Sequence, residues 1–285
     1  MVLAVQEKNK QMPMDSQSLY QEIIRKNTFL CIGLDSDIQR LPDCVKNADD
    51  PVFEFNRRII DATRDYCIAY KLNTAFYEAN GASGWLTMDK TIRYIGKTHL
   101  TIADAKRGDI GNTCDQYARA FFETMDCDAI TLAPYMGSDS ITPFLKYQGR
   151  YAIVLGLTSN PSATEFQYAK DKNDNEWFLH IIQTAAQWGN ANNMMFVVGA
   201  TRADRLADIR KIIPDHFLLI PGIGTQGGSL EDVVKFGINK QVGLLVNSSR
   251  TIIFASTTSD FDRCAADEAI KISKEMALLL QKYTR

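Results

Sequence analysis

The chain has 285 residues, 45% hydrophobic and 23% charged, with 32 basic side chains against 34 acidic ones. That composition excludes a disordered protein, and the near-neutral balance excludes the basic footprint of a nucleic-acid binder. No apolar run reaches the roughly 18 residues of a membrane span, and the length suits two ordinary domains or one α/β barrel of about 250 residues.

Residues 1–15 fit no strand and are expected to form a flexible or docking arm. Five apolar residues before Gln6 are too few for a signal peptide. Met14–Lys26 reads as a helix leading into the first strand. Short β-rich apolar runs then recur at Phe29–Leu34, Ile68–Leu72, Leu100–Ala103, Ala129–Leu132, Ala152–Leu157, Met195–Val198, Phe217–Ile220 and Val242–Val246. Their apolar residues are continuous rather than alternating, as expected of strands buried on both faces.

Helical periodicity fills the gaps. Val52, Phe55, Ile59, Ala62 and Tyr66 share one face of Val52–Tyr66. Tyr117, Ala120, Phe121 and Thr124 share one face of Asn112–Met125. Glu176–Gly189, Arg202–Ile213, Ser229–Phe236 and Ala265–Gln281 are further helices, and Gly189 and Gly237 stand where C-caps are expected. Ala75–Lys97 reads as two short helices broken near Gly81 and Gly84. Strands alternating with helices in this way predict a closed α/β (β/α)8 TIM barrel, a single domain over residues 16–285. An open doubly wound sheet is the alternative, but no GxGxxG opens its first helix. The six cysteines lack CxxC or paired spacing, and the three histidines are scattered. Reduced thiols in a cytoplasmic protein without a zinc site are expected.

In a barrel, chemistry belongs at the carboxyl ends of the strands. Those ends carry Asp35; Lys71 and Asn73; Asp104, Lys106 and Asp109; Pro134; Thr158 and Ser159; a glycine-rich loop at 222–228; and Asn247-Ser248-Ser249-Arg250. Asp104 and Lys106 are two apart, so both side chains point to one face of a strand. A lysine beside a carboxylate stays protonated at neutral pH and can donate a proton or offset a developing anion. Asp104 and Lys106 alone would fit a structural ion pair equally well. Five charges converging at one mouth, with Asp35, Lys71 and Asp109, are costly without a ligand. Glycines after strand seven let backbone N–H groups approach an anion, and Arg250 after strand eight supplies a bidentate cation for phosphate. These residues point to a barrel enzyme acting on a phosphorylated small molecule, with a Lys/Asp array suited to a carbanion or enolate. They do not choose the substrate.

The segment AspAlaLysArgGlyAspIleGlyAsnThr at 104–113 resembles the DxKxxDI signature of the orotidine 5′-monophosphate decarboxylases. LeuAspSerAsp at 34–37, LysLeuAsn with PheTyrGlu at 71–78, ThrSerAsnPro at 158–161, ProGlyIleGlyThrGln at 221–226 and AsnSerSerArg at 247–250 match in order. The resemblance covers about residues 20–280, and ArgGly at 107–108 is similar to the longer bacterial branch. It implies a homodimer of barrels converting orotidine 5′-monophosphate (OMP) to UMP and CO2, with no cofactor or metal. By resemblance Lys106 protonates C6, Asp104 lies near the substrate carboxylate, Lys71 holds both and Asp35 binds ribose hydroxyls. Asp109, Ile110 and Thr113 are expected to reach into the partner's site. Ser159 would read the pyrimidine amide edge, and Pro221 and Ile223 would border the ring. Gln226 and Arg250 would grip the phosphate, assisted by backbone at Gly227 and Gly228, with 224–229 as the lid. Individual residues keep plainer readings: Thr158 as a strand-end cap, Asn73 as support, Asp37 as an N-cap, Trp85 and Tyr77 as core or interface.

Two other functions are weighed. A phosphosugar decarboxylase or aldol-type synthase needs a divalent metal beside the array, with Glu78 the only nearby extra carboxylate. A nucleotide-binding barrel without catalysis would have a broken residue set, whereas Lys71, Asp104, Lys106 and Asp109 are all present. The chain holds no phosphoribosyltransferase domain, so the preceding step is expected from a separate protein.

Overall fold

A computed structural model describes residues 15–223 and 228–284. Eight parallel strands close into a barrel in sequence order. They are β1 (Leu30–Gly33), β2 (Ala69–Asn73), β3 (Leu100–Arg107), β4 (Ala129–Leu132), β5 (Tyr151–Leu157), β6 (Met194–Val198), β7 (Leu218–Pro221) and β8 (Leu244–Ser248). Closure is made by β8 against β1, with Leu30 opposite Val246 and Ile32 opposite Ser248. Every residue of β1, β4, β6 and β8 is buried, which is why apolar residues follow one another along these strands, interrupted by Thr131 in β4 and by Asn247 and Ser248 at the end of β8.

The helices follow the expected stripes with local shifts. Pro51–Thr63 buries Val52, Phe55 and Ile59, together with Asn56, Ile60 and Thr63, while Ala62 and Tyr66 are only partly covered. The segment 74–95 is a short helix, Thr74–Glu78, and a long one, Gly81–Ile95. Gly84 lies inside the long helix, where a Cβ would stand 1.8 Å from the Tyr77 carbonyl oxygen. It marks a helix crossing, not a break. Gly111–Arg119 ends in a π-turn, Ala120–Thr124, which rotates Phe122 inward beside Phe121. Gly189 lies beyond Trp177–Ala185, and Gly237 is the last residue of Leu230–Gly237; neither has the positive φ of a glycine C-cap. Gly237 instead lets the Leu206 and Leu244 side chains pack close. Residues 1–14, most of the expected arm, lie outside the described residues. Asp15 belongs to the helix Ser16–Lys26, accepting the Ser18 N–H at 2.8 Å as its N-cap.

The amino end of the barrel is closed by part-buried cations on carbonyls. Arg210 donates to Ile213, His216, Gly237 and Gly243 at 2.6–3.2 Å, and Lys26 donates to Arg64 and Cys67 at 2.7 and 2.9 Å. Burial pushes Arg210 down to about 9. This rigid floor leaves the opposite end free for chemistry. All six cysteines are free thiols, four of them buried.

Candidate active site

At the carboxyl ends of β1, β2 and β3, four charged side chains form an alternating chain. Lys71 Nζ lies 3.5 Å from Asp35 Oδ1 and 2.8 Å from Asp104 Oδ2. Lys106 Nζ lies 2.6 Å from Asp104 Oδ1. Lys71 is buried in the strand layer, whereas the Lys106 side chain is 51% exposed and faces the mouth. Burial pushes the Asp104 carboxyl up, but the Lys71 and Lys106 charges outweigh it and hold Asp104 well below the usual carboxylate range. Burial likewise pulls Lys71 down, and Asp35 and Asp104 overcome it to raise its pKa. Asp104 is therefore held as an anion against the Lys71 ammonium, and the Lys106 side chain stands at the open end of the site.

Each member has its own support. The backbone on either side of Asp35 is tied down by a buried network. The Tyr77 hydroxyl donates to the Leu34 carbonyl at 3.0 Å, and Asn56 donates to Tyr77 and accepts from Ser36. Ser249, at the end of β8, donates to Asp35 Oδ2 and Gly33 O at 2.9 and 3.0 Å. Asp35 Oδ1 is buried without a hydrogen-bond donor, so a ligand hydroxyl at that point would satisfy it. β3 departs from regular pairing at the site. Ala103 pairs with Ile130 and Arg107 with Leu132, so Asp104, Ala105 and Lys106 together face the single Thr131. Lys106 has φ +49°, a left-handed conformation uncommon outside glycine. Arg107 pairs with Glu78 and lies over the rings of Tyr117 and Phe121.

The other expected residues ring this array. Asp109 and Ile110 follow β3, and Thr113 is in the first turn of Gly111–Arg119. Ile110 is 50% exposed and Thr113 is exposed. Asp109 accepts the Ile110 N–H at 2.8 Å and pairs with none of the array's lysines. Ser159 follows β5, with its backbone packed on Gly199 so closely that no side chain fits there. Thr158 is clamped by Gln167, which accepts its N–H at 2.8 Å and donates to its hydroxyl at 2.7 Å. Asn73 and Asp37 cap short helices, and Tyr77 is core. Pro221 ends β7 beside Asn247 of β8. Gly228 bridges Ile223, and a Cβ there would meet Ala200 Cβ at 2.5 Å. Arg250 is exposed at the start of Arg250–Ile253, with no acidic partner among the described residues. Gln226 and Gly227 lie outside the described residues, as does most of the expected lid.

Comparison with known proteins bears on this arrangement. Residues 28–259 match the model of the orotidine 5′-phosphate decarboxylase / HUMPS family. The chain belongs to this family. Within it, the chain is 51% identical over 270 residues to an orotidine 5′-phosphate decarboxylase of Phocaeicola vulgatus, covering 94% of this chain and 99% of that one. It is 53% identical over 272 residues to an orotidine 5′-phosphate decarboxylase of Christiangramia forsetii, covering 94% and 100%. Among solved structures, Leishmania donovani UMP synthase superposes with TM-score 0.78 at 34% identity; the match covers 90% of this chain and 56% of that longer one.

Reading the sequence missed the supports of this decarboxylase-family site. Thr131 lies inside the apolar run of β4, where one hydroxyl looks like any β-branched strand residue. Asn56, Ser36 and Gln167 occupy ordinary helix or loop positions. Ser249 was quoted only as part of a motif. Asn56 carried a signal as a polar residue one position beyond a predicted apolar stripe, and Ser36 and Ser249 carried one by lying inside the matching segments 34–37 and 247–250.

Proposed function

We propose that the chain decarboxylates OMP to UMP and CO2 through the array Asp35–Lys71–Asp104–Lys106. The observation that carries this is the geometry of the array: Asp104 held between the buried Lys71 at 2.8 Å and the half-exposed Lys106 at 2.6 Å, with Lys106 on the side of the mouth. In this reading Lys106 stands beside C6 of the pyrimidine. As the C6 carboxylate leaves as CO2, its electron pair stays on C6, and Lys106 offsets that charge and then transfers its proton there. Lys106 recovers a proton from solvent, to which it is half exposed. Asp104, acceptor-only and fixed between two lysines, lies near the substrate carboxylate and orients the Lys106 ammonium. Asp35 takes a ribose hydroxyl. Ser159 reads the amide edge, and Pro221 borders the ring. Arg250 takes the phosphate with Gln226 and the backbone of Gly227 and Gly228.

The part-buried Asp109 and the exposed Ile110 and Thr113 fit a homodimer in which these residues complete the partner's site. A half-exposed isoleucine beside an aspartate that has no cationic partner among the described residues supports that role. Residues 16–285 act as one catalytic unit in the cytoplasm. The metal-dependent synthase reading is disfavoured by Glu78, the carboxylate it would need, which is engaged by Arg107. Among the described residues no three acidic, His or Cys side chains gather as a metal site.

Loss of OMP absorbance in excess EDTA, with wild type and Lys106→Ala, tests the proposal. Turnover in EDTA that collapses in the variant is expected. No turnover in EDTA, with magnesium-dependent turnover of a phosphosugar instead, overturns it. UMP binding without any turnover would leave only a nucleotide-binding barrel.

A further inference from the structure

The bulge in β3 leaves Asp104, Ala105 and Lys106 opposite Thr131 alone, so the strand ladder cannot satisfy all of their backbone groups. The Thr131 side chain replaces the missing bond. Its Oγ1 accepts the Lys106 backbone N–H at 2.9 Å and stands 3.0 Å from Asp104 Oδ1. An N–H can only donate, so it takes a lone pair of the hydroxyl. The hydroxyl's own hydrogen is then directed at Asp104, an ionised acceptor with no proton to offer. Asp104 Oδ1 also receives Lys106 Nζ, while Oδ2 receives Lys71. One buried hydroxyl, in a residue 1% exposed, thus touches both the backbone of the lysine and the carboxylate that aims its ammonium.

We propose that Thr131 is a positioning residue for the decarboxylation, holding Lys106 in its left-handed conformation and Asp104 in the rotamer that orients the Lys106 proton. Thr131 touches no substrate in this reading, and the inference rests on the decarboxylase assignment above. The hydroxyl is what matters; the methyl group only fills space in β4. Serine therefore keeps the function, and valine, of nearly the same shape, loses it.

The test compares wild type, Thr131→Val and Thr131→Ser as full-length proteins. For the valine variant kcat is expected to fall about 10- to 100-fold, as for a misplaced reacting group. The KM for OMP and the Kd for UMP should stay within about 3-fold, because the phosphate and ribose contacts are untouched. Deuterium uptake at C6 of UMP in D2O uses the Lys106 proton without loss of CO2, and it should fall by the same factor. The serine variant should keep kcat within about 3-fold. The inference is overturned by a valine variant with wild-type kcat, by a serine variant as impaired as valine, or by KM and UMP Kd rising in step with the loss of kcat. If the valine variant does not fold, Thr131→Cys makes the same comparison with serine, its thiol being a weak hydrogen-bonding group of similar bulk. Wild-type protein inert towards OMP would sink the decarboxylase reading and this inference with it. Wild-type turnover beside an unaffected valine variant would sink this inference alone.

Discussion

Replacing Lys71 by methionine keeps the aliphatic stem and removes the ammonium 2.8 Å from Asp104 and 3.5 Å from Asp35. At an effective dielectric near 20, charge pairs at those distances are worth about 6 and about 5 kcal/mol before desolvation. The net loss is smaller, because Asp104 can take up a proton. Holding a carboxyl of ordinary pKa, about 3.9, neutral at pH 7 costs about 4 kcal/mol at about 1.4 kcal/mol per pH unit. That is a ceiling on the cost of stranding Asp104, and at pH 5 it falls to about 1.5 kcal/mol. Lys106, left in place, lowers both figures.

The sign follows from which state binds more protons. In wild type the folded Asp104 pKa is depressed. Its contribution is complete above the unfolded value near 4 and is lost as pH falls through the folded value. In the variant the folded value rises above the unfolded one, so folding takes up a proton and stability falls as pH rises from about 4 towards 7. The gap between the two proteins therefore opens with pH. Urea unfolding is expected to give a difference of about 1 kcal/mol at pH 5 and about 2–4 kcal/mol at pH 7, with unchanged m. A gap that stays constant from pH 5 to 8, or widens on acidification, refutes the idea that Lys71 holds Asp104 ionised.

Arg250→Met should raise the KM for OMP about 10- to 100-fold, the worth of a charge-assisted phosphate contact, and leave turnover of phosphate-free orotidine unchanged. An equal loss with orotidine would remove Arg250 from the phosphate site. Gly228→Ala forces a Cβ to within 2.5 Å of Ala200 Cβ; it should raise KM about 10-fold with little change in Tm, and unaltered KM would mean that this turn does not serve the ligand. Gly84→Ala drives Gly81–Ile95 off the Tyr77 carbonyl. It should lower Tm by about 5–10 °C, and a wild-type Tm would contradict the close crossing. Mixing inactive Lys106→Ala with inactive Asp109→Ala under subunit exchange should restore activity, since each mixed dimer holds one intact site. Persistent inactivity despite exchange would mean that Asp109 serves its own chain.

The barrel was legible because parallel strands buried on both faces leave continuous apolar runs, and seven of the eight predicted runs start or end within a residue of the observed strands. The eighth, Val242–Val246, began early, because Val242 and Gly243 form the turn with Asn239 that precedes β8. Helix details were less legible where packing overrides a local signal. Gly84 looks like a breaker, yet it sits in a helix because Tyr77 crosses it. The π-turn at Ala120 shifts the periodicity on which a face was read. The Asp104–Lys106 pair was readable from its spacing of two, although the strand there is bulged and the lysine backbone left-handed. Thr131 was not readable, because only the bulge turns a strand threonine into a hydrogen-bond partner of both the Lys106 backbone and the Asp104 carboxylate. Asp109 was legible as a charge beyond the end of β3; within its own chain it accepts the Ile110 N–H and pairs with neither Lys71 nor Lys106.

The left-handed backbone at Lys106 has a consequence for evolvability. An L-residue there costs about 1–2 kcal/mol that glycine would not incur. Glycine at this codon would relieve that strain but would leave Asp104 with Lys71 as its one ammonium partner, so backbone preference and charge pairing oppose each other at a single residue. Stabilising screens blind to turnover should therefore enrich glycine or asparagine at position 106 only together with a second change that neutralises Asp104.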